Sequence, residues 1–382
     1  MRAHNERLVL STLRRNGPMA KSEIARVTGL SAQASSVIMR SLEQGGFLRR
    51  GDPIRGKVGQ PSIPMYLSPD GAFFFGLKVG RRSVDLILIN FVGEVLGRVH
   101  RTYRFPTPDS ILKFTSEAFD TLGGLIPPEH RDRIAGLGVG IPFRLWDWAA
   151  SIGAPADEME AWRTRDLRTE LEAVLGCPVF LQNDASAACG AELVFGKADR
   201  PESFFHFFIG YFIGGGLVLN NRLFTGTTGN AAAIGSLPIR GAEGKALQLV
   251  DIASLSVLET ALTAAGKPPG GLWEVPESWS IDQTVLESWV RDASSGIAQA
   301  IAAVCSVVDV EAILIDGWLP ASLRRQIVTS TAAALRELDV SGIVKPVVRE
   351  GSIGPDARSL GAASLPLSER YLVDLNAVLT AG

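Results

Sequence analysis

Cysteine and histidine are scarce in this sequence, and their scarcity argues against several kinds of site. The 382 residues include three cysteines and four histidines. Cys177, Cys189 and Cys305 form no C-x-x-C pair, so neither a disulfide framework nor a cysteine zinc site is indicated. No apolar run reaches the roughly 18 residues of a membrane-spanning helix, and the N-terminal segment alternates leucine with arginine, unlike a secretory signal. We therefore expect a cytoplasmic protein with no membrane partner.

Charge is distributed unevenly along the chain. The formal net charge is −2, but residues 1–68 hold eleven Lys or Arg against four Asp or Glu. The rest of the chain holds 27 basic and 36 acidic residues. A basic N-terminal segment followed by an acidic remainder indicates that residues 1–68 contact a polyanion. The alternative is that these basic side chains are simply solvated.

Residues 1–69 have the spacing of a winged helix-turn-helix domain. Helical periodicity and turn residues predict three short helices, over about 5–15, 21–28 and 32–44. Ser31 is a suitable N-cap for the third helix. Two short strands then flank a loop rich in glycine and proline, at 47–50 and 65–67. Such a hairpin is typical of a wing that reaches a minor groove or a row of phosphates.

The third helix begins with small and polar side chains, which allow a helix to approach base edges closely. Gln33 can pair with adenine, and Ser35 or Ser36 can reach bases or phosphates. The predicted DNA-binding residues are Ser31, Gln33, Ser35, Ser36, Arg40, Arg55, Lys57 and Gln60. The positions expected to face the other helices are Val37, Ile38 and Leu42. A helical protein-interaction module is the alternative, but helix order, cap, wing and charge together predict binding to double-stranded DNA.

From residue 71 onward, strand-like runs alternate with helical segments. The strand-like runs are FFFGLKVG, SVDLILINFVGEVLGRVHR, IAGLGVGI, PVFLQND, FFHFFIGYFIGGGLVLNNRLF and AILIDG. Helices are predicted over about 110–122, 166–175, 185–194, 249–264, 284–308 and 320–336. This alternation predicts an α/β fold.

The order of short motifs in this body resembles the ROK family of repressors and sugar kinases. The motifs are GVGIP, Asn183-Asp184, IGGG, the Ile-Gly of AAAIGS, and SLGAA. The resemblance covers nearly the whole chain and is to the family's repressors, such as those for xylose and N-acetylglucosamine. It implies a winged helix-turn-helix followed by a two-lobed actin-like fold with a sugar cleft. The implied domains are the winged helix-turn-helix at 1–69, the smaller lobe at 71–184 with 368–382, and the larger lobe at 185–367.

Several positions depart from the kinase pattern of the family. Lys78 stands where the resemblance places a carboxylate that helps to organise magnesium, and Arg81 fills a glycine position of the phosphate loop. Phe143 replaces a glycine that usually follows the GVGIP motif. Tyr211-Phe212 replace Thr-Gly beside the triple glycine. These changes predict that ATP and magnesium are not used.

The sugar and zinc positions of the family are also altered. Ala233 stands for a sugar-binding Glu, and Ser236 stands for a His that is also a zinc ligand in many members. Residues 237–259 contain no Cys and no His, whereas a tetrahedral zinc site needs about four such ligands. We therefore expect no zinc, no cofactor and no kinase activity.

The residues predicted to bind a ligand are Asn183, Asp184, Ser236 and Lys78. The resemblance implies that Asn183 and Asp184 contact sugar, and capping of the following helix is the alternative. Lys78 is hypothesised to meet the phosphate of a phosphorylated sugar near Asp184, and an internal ion pair is its alternative. A cleft that binds nothing also stays open.

Together these patterns predict a transcriptional regulator, preferably a repressor, of carbohydrate uptake or catabolism genes, controlled by a sugar or sugar derivative. A homodimer or homotetramer would match an imperfect palindrome in double-stranded DNA. One alternative is a regulator controlled by a protein partner, with a vestigial cleft. The other alternative is an active ATP-dependent sugar kinase with a regulatory domain at residues 1–69.

Overall fold

The chain folds into two compact units. The computed structural model describes residues 2–54, 62–197, 199–241, 244 and 246–373. The first unit combines the chain up to Val79 with Ser83–Gln182 and the chain from Ala362 onward. The second unit contains Gly80–Arg82 and Asn183–Gly361. In these ranges no helix has the length and apolar character needed to cross a membrane.

The N-terminal domain of the first unit packs short helices on a three-stranded sheet. Its elements are α1 (Arg2–Asn16), β1 (Met19–Ala20), α2 (Lys21–Thr28), α3 (Ala32–Gln44), β2 (Leu48–Arg50) and β3 (Pro64–Leu67). Strand β3 pairs antiparallel with β1 and with β2. Gly29 ends α2 with a φ of 69°, a left-handed conformation that favours glycine. The Ser31 side chain accepts a hydrogen bond from the Ala34 N–H at 3.2 Å and caps α3. The predicted helices, cap and flanking strands are therefore confirmed.

A five-stranded sheet forms the centre of the rest of the first unit. Its elements are β4 (Phe73–Val79), β5 (Ser83–Asn90), β6 (Val95–Thr102), α4 (Pro108–Gly123), β7 (Ile134–Ile141), α5 (Ala149–Ile152), α6 (Ala156–Thr164), α7 (Leu167–Leu175) and β8 (Val179–Asn183). The strand order is β6-β5-β4-β7-β8, with β4 to β6 antiparallel and β7 parallel to β4. Every residue of β4 is buried, which explains why its run of apolar residues shows no alternation.

The second unit repeats this strand pattern in a sheet of its own. Its strands are β9 (Phe204–Ile209), β10 (Ile213–Leu219), β11 (Arg222–Phe224), the separate hairpin β12 (Pro238–Arg240) and β13 (Ala246–Gln248), β14 (Ala312–Gly317) and β15 (Val347–Glu350). The order is β11-β10-β9-β14-β15, with an antiparallel meander followed by parallel pairing of β9, β14 and β15. The same order in both sheets is the duplicated α/β arrangement that the actin-like prediction requires.

Helices cover both faces of the second sheet. They are α8 (Asp184–Phe195), α9 (Val250–Ala253), α10 (Leu255–Ala264), α11 (Gly271–Glu274), α12 (Gln283–Cys305), α13 (Ala321–Glu337) and α14 (Ala357–Tyr371). The helix predicted over 249–264 is broken at Ser254. The break occurs because the Ser254 hydroxyl accepts a hydrogen bond from the Ile213 N–H at 3.0 Å, and its carbonyl accepts one from the Trp289 indole at 3.1 Å.

Helix α14 begins in the second unit and ends in the first. The sequence did not predict it, because small residues and the internal Pro366 hide its apolar periodicity. The division between the units falls within this helix, at Gly361–Ala362. The reason is close backbone packing, since a Cβ at Gly138 of β7 would lie 1.7 Å from the Ala362 carbonyl oxygen. The helix therefore joins the first sheet from Ala362 onward.

A buried ion pair joins β4 and β5. The Lys78 ammonium donates to Asp85 Oδ2 at 2.8 Å and to Ser83 Oγ at 2.6 Å, and Asp85 Oδ1 lies 2.6 Å from His100 Nδ1. Lys78 and Asp85 are only 4% and 2% exposed. Burial acts to raise the pKa of Asp85, but attraction to Lys78 and hydrogen bonds from His100 and Lys78 outweigh it and hold the pKa well below its ordinary value. Lys78 thus forms the internal ion pair that the sequence left open as its alternative.

His206 of β9 is fully buried, and neither ring nitrogen has a hydrogen-bond partner among the described residues. Its neighbours two residues away, Phe204 and Phe208, pack on α8, and alternation along the strand places His206 on the same face. Burial lowers the pKa of the imidazole, and attraction to Asp316 and Glu192 only partly opposes this. The folded protein therefore holds His206 in the neutral form.

Substitution of Lys78 should be costly. Lys78→Met should lower the free energy of unfolding by about 3–5 kcal/mol, because Asp85 is then buried without its main cation. Urea unfolding followed by circular dichroism measures the change. The exposed Lys113→Met serves as a control, with an expected change below about 0.5 kcal/mol. Adding Asp85→Leu to Lys78→Met should recover much of the loss, and a double variant no more stable than Lys78→Met would contradict the ion-pair assignment.

Acid should destabilise the protein through His206. The unfolded chain takes up a proton on this residue near pH 6.5, whereas the folded chain does so only at lower pH. The free energy of unfolding should therefore fall as the pH drops below about 6.5, until the folded-state pKa is reached. His206→Leu should flatten this dependence in urea titrations, while His4→Gln should retain it. Equal slopes for His206→Leu and wild type would show that His206 does not cause the effect.

Candidate functional site

The outer face of α3 carries polar side chains in a helical stripe. Gln33, Ser36 and Arg40 are all exposed and lie at positions i, i+3 and i+7, so they share one face. Ser31 is exposed at the start of the helix. An amide, hydroxyls and a guanidinium are the groups that read base edges and bind phosphates. This stripe is the candidate nucleic-acid interface.

Two residues of α3 face opposite to the prediction. Ser35 is 1% exposed, and its hydroxyl has no hydrogen-bond partner in the described part of the chain. The expectation that Ser35 reaches DNA is therefore wrong, because helical spacing places it with Met39 on the inner face. Val37, which we expected to face inward, is 56% exposed and lies one turn after Gln33.

The predicted wing residues Arg55, Lys57 and Gln60 lie outside the described residues. The strands on either side of them are described. The Arg49 guanidinium of β2 lies 4.9 Å from the centre of the Tyr66 ring of β3. Arg50 is exposed beside Glu43, with 2.7 Å between its Nε and the carboxylate. Strand β2 thus places two basic side chains at the base of the predicted wing.

Asn183 and Asp184 lie at the junction of β8 and α8. Asn183 Oδ1 accepts hydrogen bonds from the N–H groups of Ala185 and Ser186 at 3.0 and 3.3 Å, so it caps α8. Asp184 is 8% exposed, and its Oδ2 accepts a hydrogen bond from Arg358 Nη1 at 3.2 Å. Asp184 Oδ1 forms no hydrogen bond with any described residue. It is therefore a candidate acceptor for a ligand.

Arg358 is a site residue that sequence reasoning missed. It is 8% exposed, and its guanidinium lies 4.7 Å from the centre of the Phe208 ring. A Cβ at Gly210 would lie 3.3 Å from Arg358 Nη1, so the missing side chain at Gly210 makes room for the guanidinium. The available signal was an isolated arginine directly before the SLGAA motif, within a run of small residues.

The glycines of β10 allow its neighbours to pack closely. A Cβ at Gly214 would lie 2.6 Å from the Ala185 Cβ, and a Cβ at Gly216 would lie 2.2 Å from the Cys189 Cβ. Both neighbours belong to α8. Ser236, the remaining predicted ligand residue, is exposed on the 3-10 turn Ile234–Ser236. No hydrogen bond joins Ser236 to Asp184 within the described residues, so the structure does not bring these two predicted ligand residues into direct contact.

Two of the departures from the kinase pattern contact each other. The Arg81 guanidinium lies 4.3 Å from the centre of the Phe212 ring, and the Arg82 guanidinium lies 5.1 Å from that of Tyr211. Arg82 also approaches the Glu259 carboxylate at 3.8 Å. Burial raises the pKa of Tyr211, although the charge of Arg82 opposes the rise. Stacked arginine and aromatic side chains thus occupy segments where the resemblance places small residues near phosphate.

The second unit contains one further candidate site. A cavity of about 770 Å³ lies between α12, the α9–α10 segment and the β12–β13 hairpin. Trp289, Asp251 and Asp292 contribute to its walls, whereas Asp184 and Arg358 do not. Among the described residues no group of three or more His, Cys, Asp or Glu is arranged to hold a metal ion.

Comparison with known proteins identifies both parts of the chain. Residues 74–251 match the model of the ROK family, and residues 2–49 match the model of a winged helix-turn-helix DNA-binding domain. A solved structure described as a ROK family transcriptional regulator, a homologue of the E. coli MLC protein, covers 96% of this chain and is itself 96% covered. Its TM-score is 0.67 at 21% sequence identity, which shows a shared fold.

Two curated relatives represent a regulator and an enzyme. The xylose repressor of Caldicellulosiruptor bescii is 24% identical over 237 residues, which are 62% of this chain and 58% of that protein. The bifunctional enzyme NanE/NanK of Brucella melitensis is 32% identical over 206 residues, which are 52% of this chain and 37% of that protein. The chain thus matches less than two thirds of either relative. The chain thus contains a region that matches the ROK family, preceded by a region that matches a winged helix-turn-helix DNA-binding domain.

Proposed function

We propose that this protein represses genes of carbohydrate uptake or catabolism, and that a sugar bound at Asp184 controls its binding to DNA. The observation that carries the proposal is the exposed stripe of Gln33, Ser36 and Arg40 on a capped α3, in a chain whose second domain is of the ROK family. The similarity to xylose repressors supports a regulatory role. A homodimer or homotetramer in the cytoplasm, bound to an imperfect palindrome, completes the proposal.

The charges around Asp184 favour a neutral sugar as the effector. Arg358 already compensates the Asp184 carboxylate, so the pair offers an acceptor oxygen without a net charge. An anionic ligand would compete with Asp184 for the guanidinium, whereas a sugar hydroxyl can donate to Oδ1. Lys78, the cation first considered for a sugar phosphate, is paired with Asp85. D-xylose is the first sugar to test, because relatives named as xylose repressors match this chain.

We also propose that the protein is not a kinase. Phosphoryl transfer depends on a positioned nucleophile and on groups that bind magnesium and phosphate. Here Asp184 is paired with Arg358, and Arg81 and Arg82 stack on Phe212 and Tyr211. The alternative is an active kinase, and the similarity to NanE/NanK is the reason to test it. Sugar-dependent ATP consumption in a coupled assay that is lost in the Asp184→Asn variant would favour this alternative.

DNA contact by α3 is tested with a duplex site selected from a random library. Gln33→Ala should cost about 1–3 kcal/mol at the selected site and little on random DNA, because an amide reads a base edge. Arg40→Ala should weaken binding to all sequences and reduce the slope of log Kd against log salt by about 1, because a guanidinium on phosphate displaces counterions. Fluorescence anisotropy measures both, with Lys113→Ala as a charge-matched control. Wild-type affinity in Gln33→Ala and Arg40→Ala would remove α3 from the interface.

Ligand binding at Asp184 is tested by thermal shift with a panel of neutral sugars led by D-xylose. A sugar that binds only the folded state must raise the melting temperature. Asp184→Asn should abolish the shift, because the neutral amide is a weaker acceptor for sugar hydroxyls. Asp292→Asn, in the separate cavity, should retain the shift. The reverse pattern would place the ligand in that cavity, and no shift with any sugar would favour control by a protein partner.

A further inference from the structure

The first turns of α14 are attached to α8 beside Asp184. Arg358, the second residue of α14, donates to Asp184, the first residue of α8. Just before α14, the Ser352 N–H and hydroxyl donate to the Glu192 carboxylate of α8 at 3.0 and 2.6 Å. A Cβ at Gly361 would lie 1.8 Å from the Ala187 carbonyl oxygen, so the two helix backbones are in direct contact. A change at Asp184 must therefore be accommodated by the start of α14.

The other end of α14 contacts the DNA-binding domain. The Tyr371 ring lies 5.4 Å from the ring of Phe47, and it also packs on Phe74 and Phe91 of the first unit. Two residues later, the Val373 N–H donates to the Ser11 hydroxyl of α1 at 2.9 Å. These contacts attach the C-terminal end of α14 to both α1 and the segment after α3.

Phe47 connects these contacts to the recognition helix. Its N–H donates to the Leu42 carbonyl in the last turn of α3 at 2.9 Å. Gly71 packs against it from the other side, since a Cβ there would lie 3.3 Å from the Phe47 Cα. A shift of Tyr371 therefore acts on a residue that is hydrogen-bonded to α3, within a tightly packed junction.

We propose that α14 couples the ligand site to the DNA-binding domain, with Arg358 as the residue that senses the ligand. This inference rests on the proposed function. A sugar hydroxyl that donates to Asp184 shares the carboxylate with Arg358 and weakens its hold on the guanidinium. Besides Asp184, the guanidinium has the Phe208 ring as a neighbour, and its Nε is buried without a hydrogen-bond partner in the described residues. Arg358 and the first turn of α14 then move, and Tyr371 carries the movement to Phe47.

A double-mutant cycle on full-length protein tests this coupling without any ligand. Residues 358 and 371 are about 20 Å apart along an α-helix, so uncoupled substitutions should be additive in their effect on DNA affinity. Arg358→Met releases Asp184, and Tyr371→Leu removes the ring at the far end. Glu369→Gln, an exposed residue of α14, replaces Tyr371→Leu in the control cycle. Kd for the selected duplex is measured by fluorescence anisotropy for every variant, after circular dichroism has shown that it is folded.

Arg358→Met should weaken DNA binding, because the loss of the Arg358–Asp184 contact mimics the ligand-bound state. We expect an increase in Kd of at least about fivefold, which is the lower end of the usual range for coupling between sites. The same substitution should change Kd by less than twofold in the Tyr371→Leu background and keep its full effect in the Glu369→Gln background. If Tyr371→Leu does not fold, Ser11→Ala replaces it, with a reduced effect of Arg358→Met expected. Equal effects of Arg358→Met in all backgrounds, or no effect in wild type, would overturn the coupling while DNA binding stands. Failure of wild type to bind any selected duplex would overturn the proposed function and the coupling with it.

Discussion

Arg358 and Asp184 form a buried ion pair between the first turn of α14 and the first turn of α8. Separating such a pair leaves two uncompensated charges away from water, so the two helix ends are expected to stay together in the absence of a competing ligand. Backbone contact at Gly361 allows no side chain between the helices and adds to this constraint. The proposed sugar control, the proposed absence of kinase activity and the proposed coupling through α14 all depend on this pair.

The residues that depart from the kinase pattern have partners within the fold of this chain. Lys78 is balanced by Asp85 in the first sheet, and Arg81 and Arg82 are stacked on aromatic rings in the second unit. Lys78 and Arg81, which stand where the resemblance places a carboxylate and a glycine, thus each have a local partner. Under the proposed function, Asp184 would serve as a hydroxyl acceptor for a neutral sugar and would take no part in phosphoryl transfer.

Local patterns predicted local structure well. The Ser31 cap, the Gly29 turn and the order of strands and helices were predicted correctly, because each depends on residues that are close in the sequence. The orientation of Ser35 and Val37 was reversed, because small and apolar residues mix on both faces of α3 and blur its helical phase. Helix α14 was missed since Pro366 and its small residues carry little periodic signal.

Only half of the proposed ligand site could be predicted from the sequence. Asp184 followed from a motif, but its partner Arg358 lies 174 residues away, and no local rule connects the two. The sequence left two roles open for Lys78, a contact with a sugar phosphate and an internal ion pair. Only the positions of Asp85 and His100 in the structure decide between these roles. Pairing between charges that are far apart in the sequence depends on the topology of the fold, and sequence patterns alone do not show which charges the topology brings together.

The central claim is that a sugar controls sequence-specific DNA binding by this chain. Its most direct test is capture of sheared genomic DNA from the source organism by the purified protein at near-physiological salt, with and without D-xylose and related neutral sugars, followed by sequencing. We expect enrichment of an imperfect palindrome near carbohydrate transport or catabolism genes, reduced by one of the sugars and lost in a Gln33→Ala, Arg40→Ala protein. Enrichment no greater than that of the double variant would contradict it.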